Sequence, residues 1–415
     1  MMLKKIENIV SEKLVKVPFL KNSIKYIYQY MWDKITSVPP VTTNWKMKEI
    51  TNDEDDTFFG YFDKYPENDN SLVLFHSTPC TKIKPKKVDT IKVCVKNVST
   101  NEIIFSTNTK AFNWQQGSRA HWLDNERFCF NDYDEKNDLY FCRLININSF
   151  DEKKLDFPVA DSLPKRNKYL SIDYKVLSKI RPDYGYFSHK KMNDVIDGVY
   201  LCSFDKEIEN KQLISSKKVL ELLNIKEYEQ CKFNHVMSSP DSDSFIFLFR
   251  VYNKGIRYDH LGVYDLNNDK LNFIKTGRIV SHCCWINNNE IIAYLESSDK
   301  TKGYFIISVA NLKLDILSQL TKVSSTDGHP SFSNGLILTD SYPNRKRLKS
   351  LFLYDCSDGN NEIIGTFYES IKYFGETRCD LHPRLLCDGY GRVACYIDSV
   401  HSGNRHLYKL IRDIK

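Results

Sequence analysis

Short hydrophobic runs, separated by polar clusters, occupy the chain from about residue 45 to its end. Most are four to seven residues long, and Asn, Asp, Ser and Gly clusters between them bend the chain. Many short strands at even spacing indicate a sandwich, a barrel or a propeller. The length favours a propeller, since each blade takes about 40–50 residues. The predicted strands are Ser71–Phe75, Thr90–Val95, Glu102–Phe105, Arg127–Asn131, Leu139–Arg143, Gly198–Ser203, Phe245–Phe249, Glu290–Leu295, Tyr304–Val309, Leu336–Thr339, Leu351–Tyr354 and Arg392–Ile397.

A histidine followed by a short polar turn and a hydrophobic strand recurs four times in the second half of the chain. The histidines are His235, His282, His329 and His382, and their successive spacings are 47, 47 and 53 residues. This spacing is the length of one four-stranded blade. The repeat therefore predicts consecutive propeller blades.

Weaker copies of the repeat lie upstream. Tyr61 and Arg119 occupy the histidine position in two of them, and the segment Arg181–Tyr186 fills the slot for one more. Seven copies over residues 57–415 predict an all-β fold, a seven-bladed β-propeller. We expect the chain between about residues 45 and 57 to supply a strand that closes the ring beside the last blade.

Residues 1–36 follow a helical pattern instead. Apolar residues recur at three- and four-residue spacing from Leu3 to Val17 and again from Ile24 to Ile35, with a break at Pro18 and seven lysines on the other faces. Such a basic amphipathic helix either packs on the main domain or lies on an anionic membrane surface. We predict amphipathic helices and a linker over residues 1–44 and the propeller over residues 45–415.

Composition narrows the class of protein. Hydrophobic residues make up 41% of the 415 residues, enough for a packed core, and no apolar run approaches the ~20 residues of a membrane-spanning helix. A net charge of +6 is too diffuse to indicate a nucleic-acid partner. Twelve cysteines without a CxxC pair, in a chain without a signal peptide, predict free thiols in the cytoplasm.

The repeat also predicts a polar ring. Equivalent positions of propeller blades lie at equivalent distances from the central channel. Four imidazoles with Tyr61 and Arg119 would line this channel and could hold a divalent metal, with Asp327 and Asp380 placed to orient the imidazoles. Alternatively, each histidine opens a strand by a hydrogen bond to a neighbouring blade. The sequence contains no Walker loop, GxGxxG, GxSxG or HExxH motif.

Several of these segments resemble the oligogalacturonate lyase family of seven-bladed propellers and its uncharacterised bacterial relatives. The resemblance covers roughly residues 230–405. The segments are Asn234-His235 with Pro240-Asp241, Ser281-His282 with Trp285, Asp327-Gly-His329-Pro-Ser-Phe-Ser and Arg378-Cys-Asp-Leu-His382-Pro-Arg384. The family carries Gln-x-x-His-x-His before the proline, whereas this chain has Ser324 and Asp327 at the first two of these positions and keeps His329 at the last.

The resemblance implies a cytoplasmic lyase that splits an acidic oligosaccharide by β-elimination, with a divalent metal, typically Mn²⁺, on the sugar carboxylate. It places the metal among His235, His282, His329, His382 and Asp327. The expected catalytic residues are Arg119, Arg250, Arg378 and Tyr61, and the expected substrate-binding residues are Arg384, Tyr186 and Asp380. The sequence leaves open which residue is the base that removes the proton: an arginine, Tyr61 or a histidine that does not bind metal.

Two other functions fit the same sequence. One is a non-catalytic propeller that binds glycan or protein in surface-polysaccharide metabolism, held at the inner face of the membrane by residues 1–36. The other is a different metal-dependent glycan reaction, such as hydrolysis or transfer, in the same ring. Metal content would distinguish the non-catalytic propeller from the lyase and from the other metal-dependent enzyme. An unsaturated uronate product would distinguish the lyase from that other enzyme.

Overall fold

Seven antiparallel sheets surround a central channel in the computed structural model, which describes residues 18–35, 37–51, 54–61, 63–205, 208–324, 326–387 and 392–412. The predicted seven-bladed all-β propeller is therefore confirmed, and each predicted strand coincides with an observed one.

Blades 1 to 5 each consist of four consecutive strands. Blade 1 contains β3 (Asp56–Phe58), β4 (Leu72–Thr78), β5 (Ile91–Asn97) and β6 (Glu102–Thr109); blade 2, β7 (His121–Trp122), β8 (Arg127–Asp134), β9 (Leu139–Asn146) and β10 (Glu152–Leu155); blade 3, β11 (Asp161–Leu163), β12 (Lys168–Ser171), β13 (Val199–Ser203) and β14 (Lys211–Ile214). Blade 4 contains β15 (Gln230–Ser238), β16 (Ser244–Asn253), β17 (Ile256–Asp265) and β18 (Lys270–Phe273); blade 5, β19 (Val280–Asn287), β20 (Glu290–Glu296), β21 (Lys302–Ser308) and β22 (Leu314–Ile316).

The N-terminal strands complete the last two blades. Blade 6 contains β23 (Ser331–Ser333), β24 (Leu336–Asp340), β25 (Leu348–Asp355) and β26 (Asn361–Tyr368), with β1 (Val41–Thr43) as a fifth strand on β26. Blade 7 contains β27 (Arg384–Cys387), β28 (Val393–Ser399) and β29 (His406–Ile411), and β2 (Lys46–Glu49) pairs with β29 as its outer strand. The predicted closing strand is thus confirmed, and part of the predicted linker forms β1.

Hydrophobic clusters join neighbouring blades. In one of them Leu248 and Leu261 of blade 4 pack against Trp285 and Ile291 of blade 5. In another, Trp45 lies with residues of blades 6 and 7 and is 5% exposed. Because each sheet buries both of its faces against its neighbours, strands inside the blades alternate less than strands of a one-sided sheet.

Among the described residues, four α-helices lie outside the sheets: α1 (Pro18–Ile35), α2 (Tyr174–Ile180), α3 (Ser216–Leu222) and α4 (Ser318–Val323). The predicted N-terminal amphipathic helix is confirmed as α1, which begins at the proline, a favourable first position. The predicted apolar pattern over residues 3–17 lies outside the described residues. No helix that the structure describes is both long and apolar enough to cross a membrane.

One part of the repeat assignment is wrong. The inner strand of blade 3 is β11, whereas Arg181–Tyr186 belongs to a long insertion between β12 and β13 that also contains α2. Blade 3 therefore starts about 20 residues earlier than the repeat predicted, at Asp161, because the insertion lengthens this blade. The ring position of this blade falls near Asp161, which is fully buried.

Helix α1 docks on blade 6 through polar and aromatic side chains. The Arg347 guanidinium donates to Gln29 Oε1 at 2.9 Å, and the Tyr368 hydroxyl donates to Asp33 at 2.5 Å. The Tyr26 ring lies 5.2 Å from the Phe374 ring. The helix is therefore packed on the propeller, as the first of the two alternatives predicted.

Two truncations test which N-terminal contacts the propeller needs. We expect removal of residues 1–36 to leave a cooperative unfolding transition, because all seven sheets stay complete. Removal of residues 1–50 also takes away β1, β2 and Trp45, and loss of a buried tryptophan alone costs about 3–5 kcal/mol. Thermal unfolding of both truncations and of full-length Trp45→Ala measures the difference, and equal transitions for the two truncations would contradict the closing role of β2.

Candidate functional site

Tyr61 lies in the middle of the four repeat histidines at the channel. Its ring centroid is 5.5 Å from that of His235, 5.1 Å from His282, 5.1 Å from His329 and 5.8 Å from His382. All five side chains are at least 95% buried. The structure therefore brings the predicted ring together, with the phenol between the imidazoles rather than on their circumference.

Breaks in the inner strands aim these residues at the channel. Arg119, His235 and His382 have positive φ angles of 58°, 48° and 46°, which non-glycine residues adopt rarely, and the β15–β16 register shifts beside His235. Such backbone strain concentrates at functional positions. Beside Tyr61, Gly60 has a φ of +92°, and a Cβ there would lie 2.9 Å from the Gln116 backbone, so this approach requires glycine.

Two of the imidazoles are held by carboxylates, of which Asp327 was predicted from the sequence and Asp340 was not. Asp340, at the end of β24, accepts from His329 Nδ1 at 2.9 Å and from the backbone N–H of His382 at 3.2 Å. Asp327 lies 3.3 Å from His282 Nδ1 and accepts from Ser281.

Asp398 lies close to the His382 imidazole and holds the backbone beside Tyr61. Its carboxylate lies 3.6 Å from His382 Nδ1 and accepts the backbone N–H groups of Phe59 and Gly60 at 2.9 Å each. Metal-bound histidines usually carry a carboxylate or carbonyl on the other ring nitrogen. Asp327 and Asp340 give His282 and His329 this arrangement, whereas Asp398 lies near His382 without a hydrogen bond to its ring.

His329, Asp380 and His382 form the group best suited to a metal ion. Each offers a ligand atom, and these atoms lie within 4.8 Å of one another. Nε2 of His329, both ring nitrogens of His382 and Oδ1 of Asp380 have no hydrogen-bond partner among the described residues. Buried polar atoms of this kind are costly unless a ligand satisfies them. The donor set of nitrogen and carboxylate oxygen fits a divalent ion such as Mn²⁺ or Zn²⁺.

Burial and neighbouring charges set the protonation of the imidazoles. Burial, with the cationic Arg250 nearby, keeps the pKa of His235 well below its ordinary value, and burial beside His329 does the same for the pKa of His382. Although burial opposes the charged form of His329, Asp340 raises its pKa. His235 and His382 are therefore neutral at pH 7 and have free lone pairs.

Arg378 lies beside Asp380, with its side chain 20% exposed. It donates to Asp380 at 2.7 Å, to Asp183 at 3.1 Å and to Gln115 at 3.4 Å. Burial opposes its charge, but Asp380 and Asp183 raise the pKa of Arg378 well above its ordinary value. Tyr342 lies between its guanidinium and the His329 ring, 5.9 Å from each.

The other predicted site residues lie at different depths. Arg250 is buried and lies 3.3 Å from Asp259, while Arg119 donates to the Ala160 carbonyl. Arg384 donates to the His382 carbonyl and faces the Phe59 ring.

Tyr186 lies in a hydrophobic cluster, stacked on Tyr174 at 4.2 Å. Its near neighbour Tyr184 reaches the ring instead, 5.0 Å from His235.

Sequence reasoning missed Asp340, Asp398, Asp183 and Tyr184 as parts of this site. Asp340 carried a signal, because it stands at the end of the strand that follows His329. Asp398 and Asp183 carried none, since each meets its partner from another part of the ring. Tyr184 lies within the predicted segment Arg181–Tyr186, but the sequence of this loop does not show which of its two tyrosines contacts the ring.

Solved propellers align with about nine-tenths of the chain. An oligogalacturonate lyase in complex with manganese aligns at 10% identity and a TM-score of 0.40, over 91% of this chain and 96% of its own. The oligogalacturonate lyase of Vibrio parahaemolyticus aligns at 10% identity and a TM-score of 0.39, over 90% of this chain and 98% of its own. The β-propeller domain of the trilobed protease of Pyrococcus furiosus aligns at 10% identity and a TM-score of 0.48, over 89% of this chain and 94% of its own.

The lyase family that the motifs resemble is thus among the structural neighbours, together with peptidase propellers. At these identities and TM-scores the likeness carries no argument about activity. A scan against protein-family models finds no match, and a search of the curated proteins finds none either.

Removing ligand atoms should abolish metal binding without unfolding the protein. We expect His329→Ala, His382→Ala and Asp380→Asn each to weaken Mn²⁺ binding at least about tenfold, in the range seen when a metal site loses a group that holds it. Isothermal titration with Mn²⁺ and elemental analysis measure the change.

His189→Ala is the matched control, since His189 hydrogen-bonds Tyr140 and takes no part in the ring. Wild-type affinity in all three site variants, or an equal loss in the control, would contradict the assignment.

Proposed function

We propose that the protein is a divalent-metal-dependent lyase that cleaves an acidic, uronate-containing glycan by β-elimination in the cytoplasm. The observation that carries the proposal is the His329–Asp380–His382 group, with unsatisfied ligand atoms, directly beside the cationic Arg378. A carboxylate substrate needs this combination of a metal site and a permanent positive charge. The resemblance of the sequence motifs to oligogalacturonate lyases supports the same reaction.

His329, Asp380 and His382 would hold the metal, with His282 as the adjacent imidazole 4.1 Å from His329 between ring centroids. A bound divalent ion would lower the charge on the substrate carboxylate and so make the neighbouring C–H bond more acidic. Asp340 would keep His329 in a fixed orientation. Mn²⁺ is the ion that we propose, because mixed imidazole and carboxylate ligands suit it.

Arg378 would bind the sugar carboxylate and stabilise the negative charge that develops when the proton leaves. Its raised pKa keeps it cationic, so it does not act as the base. Tyr61 keeps its proton too, because burial raises its pKa well above the ordinary value and its hydroxyl donates to the Cys283 carbonyl.

His235 is the base that this arrangement favours. It is neutral, neither ring nitrogen has a hydrogen-bond partner among the described residues, and it lies outside the proposed metal ligands. Its nitrogen would take the proton from the carbon next to the carboxylate as the bond to the leaving oxygen breaks and a carbon–carbon double bond forms. The leaving oxygen takes a proton from water at the open end of the channel.

Arg378→Gln should separate catalysis from metal binding. We expect turnover of an oligogalacturonate to fall by roughly 10² or more, as with other losses of a charge-stabilising donor, while Mn²⁺ stays bound. The ultraviolet absorbance of the unsaturated uronate product measures turnover.

Arg166→Gln, on the outside of blade 3 beside Asp243, is the control. Full activity of the Arg378 variant, or no unsaturated product from the wild type on any uronate oligomer, would contradict the proposal.

We further propose that α1 places the protein on an anionic membrane surface. The helix turns its polar side to blade 6, where Gln29 is 8% exposed, while Ile27, Met31 and Ile35 are 59%, 59% and 72% exposed. These three recur at four-residue spacing and so form one apolar stripe. Residues 1–36 contain seven lysines and three acidic residues, a charge that complements anionic lipid headgroups.

Vesicle binding tests this surface. We expect the protein to sediment with phosphatidylglycerol vesicles and not with phosphatidylcholine vesicles, and the triple variant Ile27→Ser, Met31→Ser, Ile35→Ser to lose most of this binding. Ile316→Ser, at an exposed isoleucine on blade 5, is the control. Unchanged binding by the triple variant, or none by the wild type, would leave α1 with only its packing role on blade 6.

A further inference from the structure

Arg378 and Asp380 lie in the connection between β26 of blade 6 and β27 of blade 7. Although this connection is outside the sheets, Cys379 and Asp380 are each only 1% exposed. The direction of a side chain follows from the planar peptide groups on either side of its Cα atom. The backbone of this segment therefore sets where the Asp380 carboxylate and the Arg378 guanidinium point.

Charged side chains of blade 6 bind both backbone polar groups of Cys379. The Cys379 N–H donates to the Glu369 carboxylate at 2.8 Å, and the Lys349 ammonium donates to the Cys379 carbonyl. Glu369 directly follows β26 and Lys349 lies on β25; both are fully buried, and their charged groups lie 3.6 Å apart. The two contacts therefore fix the peptide group on each side of the Cys379 Cα atom.

Arg405 of blade 7 holds the same backbone from the other side. It directly precedes β29 and is 1% exposed. Its guanidinium donates to the Thr377 carbonyl at 3.1 Å and to the Arg378 carbonyl at 2.9 Å, while a bond to the Trp114 carbonyl at 2.8 Å fixes the guanidinium itself. Three consecutive peptide groups are thus held by buried charged side chains of two blades. This backbone clamp consists of Lys349, Glu369 and Arg405.

Stability alone does not explain the backbone clamp. Charged side chains lose their hydration on burial, and apolar side chains of similar volume often give a fold that is equally stable or more stable. Hydrogen bonds with a charged donor or acceptor are shorter and roughly twice as strong as neutral ones, so they restrict a peptide group more closely. A metal site needs its ligands within about 0.5 Å of the productive geometry. The backbone clamp suits a segment whose position must be fixed that closely.

We propose that Lys349, Glu369 and Arg405 are positioning residues, which keep Asp380 directed at the metal and Arg378 directed at the substrate carboxylate. They touch neither the metal nor the substrate and act through the backbone of the segment between Thr377 and Asp380. The inference rests on the proposed function, because the metal gives this backbone its purpose. It adds that the affinity for the metal depends on charged groups that lie outside the ring of histidines.

Lys349→Met in the full-length protein tests the backbone clamp with the least disturbance, because the ion pair between Arg347 and Glu369 at 2.7 Å stays in place. We expect Mn²⁺ affinity, measured by calorimetric titration, to fall at least about tenfold, as when other groups that orient metal ligands are lost. The electron paramagnetic resonance spectrum of the bound Mn²⁺ should also change, because the Asp380 carboxylate moves relative to the imidazoles. Lys349→Arg, which can still donate to the Cys379 carbonyl, should restore both the affinity and the spectrum.

Lys96→Met is the matched control. Lys96 is 6% exposed and donates to the Ile50 carbonyl at 2.9 Å, so it is also a buried lysine that holds a backbone carbonyl, but it lies in blade 1 away from the histidines. We expect this variant to unfold at a lower temperature than the wild type and to bind Mn²⁺ with unchanged affinity and spectrum. An equal loss of affinity in the control would overturn the proposal.

Arg405→Lys is the second variant, from the other blade, and its single ammonium cannot hold all three carbonyls. It should weaken Mn²⁺ binding as Lys349→Met does. If both variants fold and bind Mn²⁺ with the affinity and the spectrum of the wild type, the positioning role is wrong while the metal site stands. If neither variant folds, the backbone clamp serves stability and the proposal is wrong. If the wild type itself binds no Mn²⁺, the proposed function fails and this inference fails with it.

Discussion

The pairing of β2 with β29 is the interaction on which the rest of the structure depends. It ties the first strands of the propeller to the last blade and so fixes seven sheets around one axis. An open ring would leave β29 as an unpaired edge and would let the inner strands move apart. The closed ring brings histidines from four blades to within ring contact of Tyr61.

Closure also explains how so much charge can be buried. Asp398 of blade 7 holds the backbone beside Tyr61 of blade 1, and Asp340 of blade 6 holds the backbone of His382 at the start of blade 7. These carboxylates therefore join blade 7 to blade 1 and blade 6 to blade 7 directly beside the imidazoles. The unsatisfied nitrogens of His329 and His382 are then a property of the assembled ring, and they are the reason for proposing a metal there.

The sequence predicted the blade number and the ring because the repeat spacing is a local property of each blade. It placed blade 3 wrongly because a long insertion carrying α2 interrupts that spacing. It could not find Asp398, because Asp398 acts across the ring closure, on the backbone of Phe59 and Gly60. The amphipathic pattern of α1 predicted that one of its sides is apolar. The side that faces blade 6 is set by contacts with Arg347 and Tyr368, which lie more than 300 residues further along the chain.

The central proposal is that the ring binds a divalent metal that holds a uronate carboxylate while the neighbouring glycosidic carbon–oxygen bond is cleaved. Anomalous diffraction from crystals grown with Mn²⁺ and an oligogalacturonate, using the inactive His235→Asn variant, tests it most directly. The account predicts an anomalous peak bonded to His329, His382 and Asp380, with a substrate carboxylate on the ion and against Arg378. A peak elsewhere in the channel, or a channel that binds neither manganese nor the sugar, would contradict it.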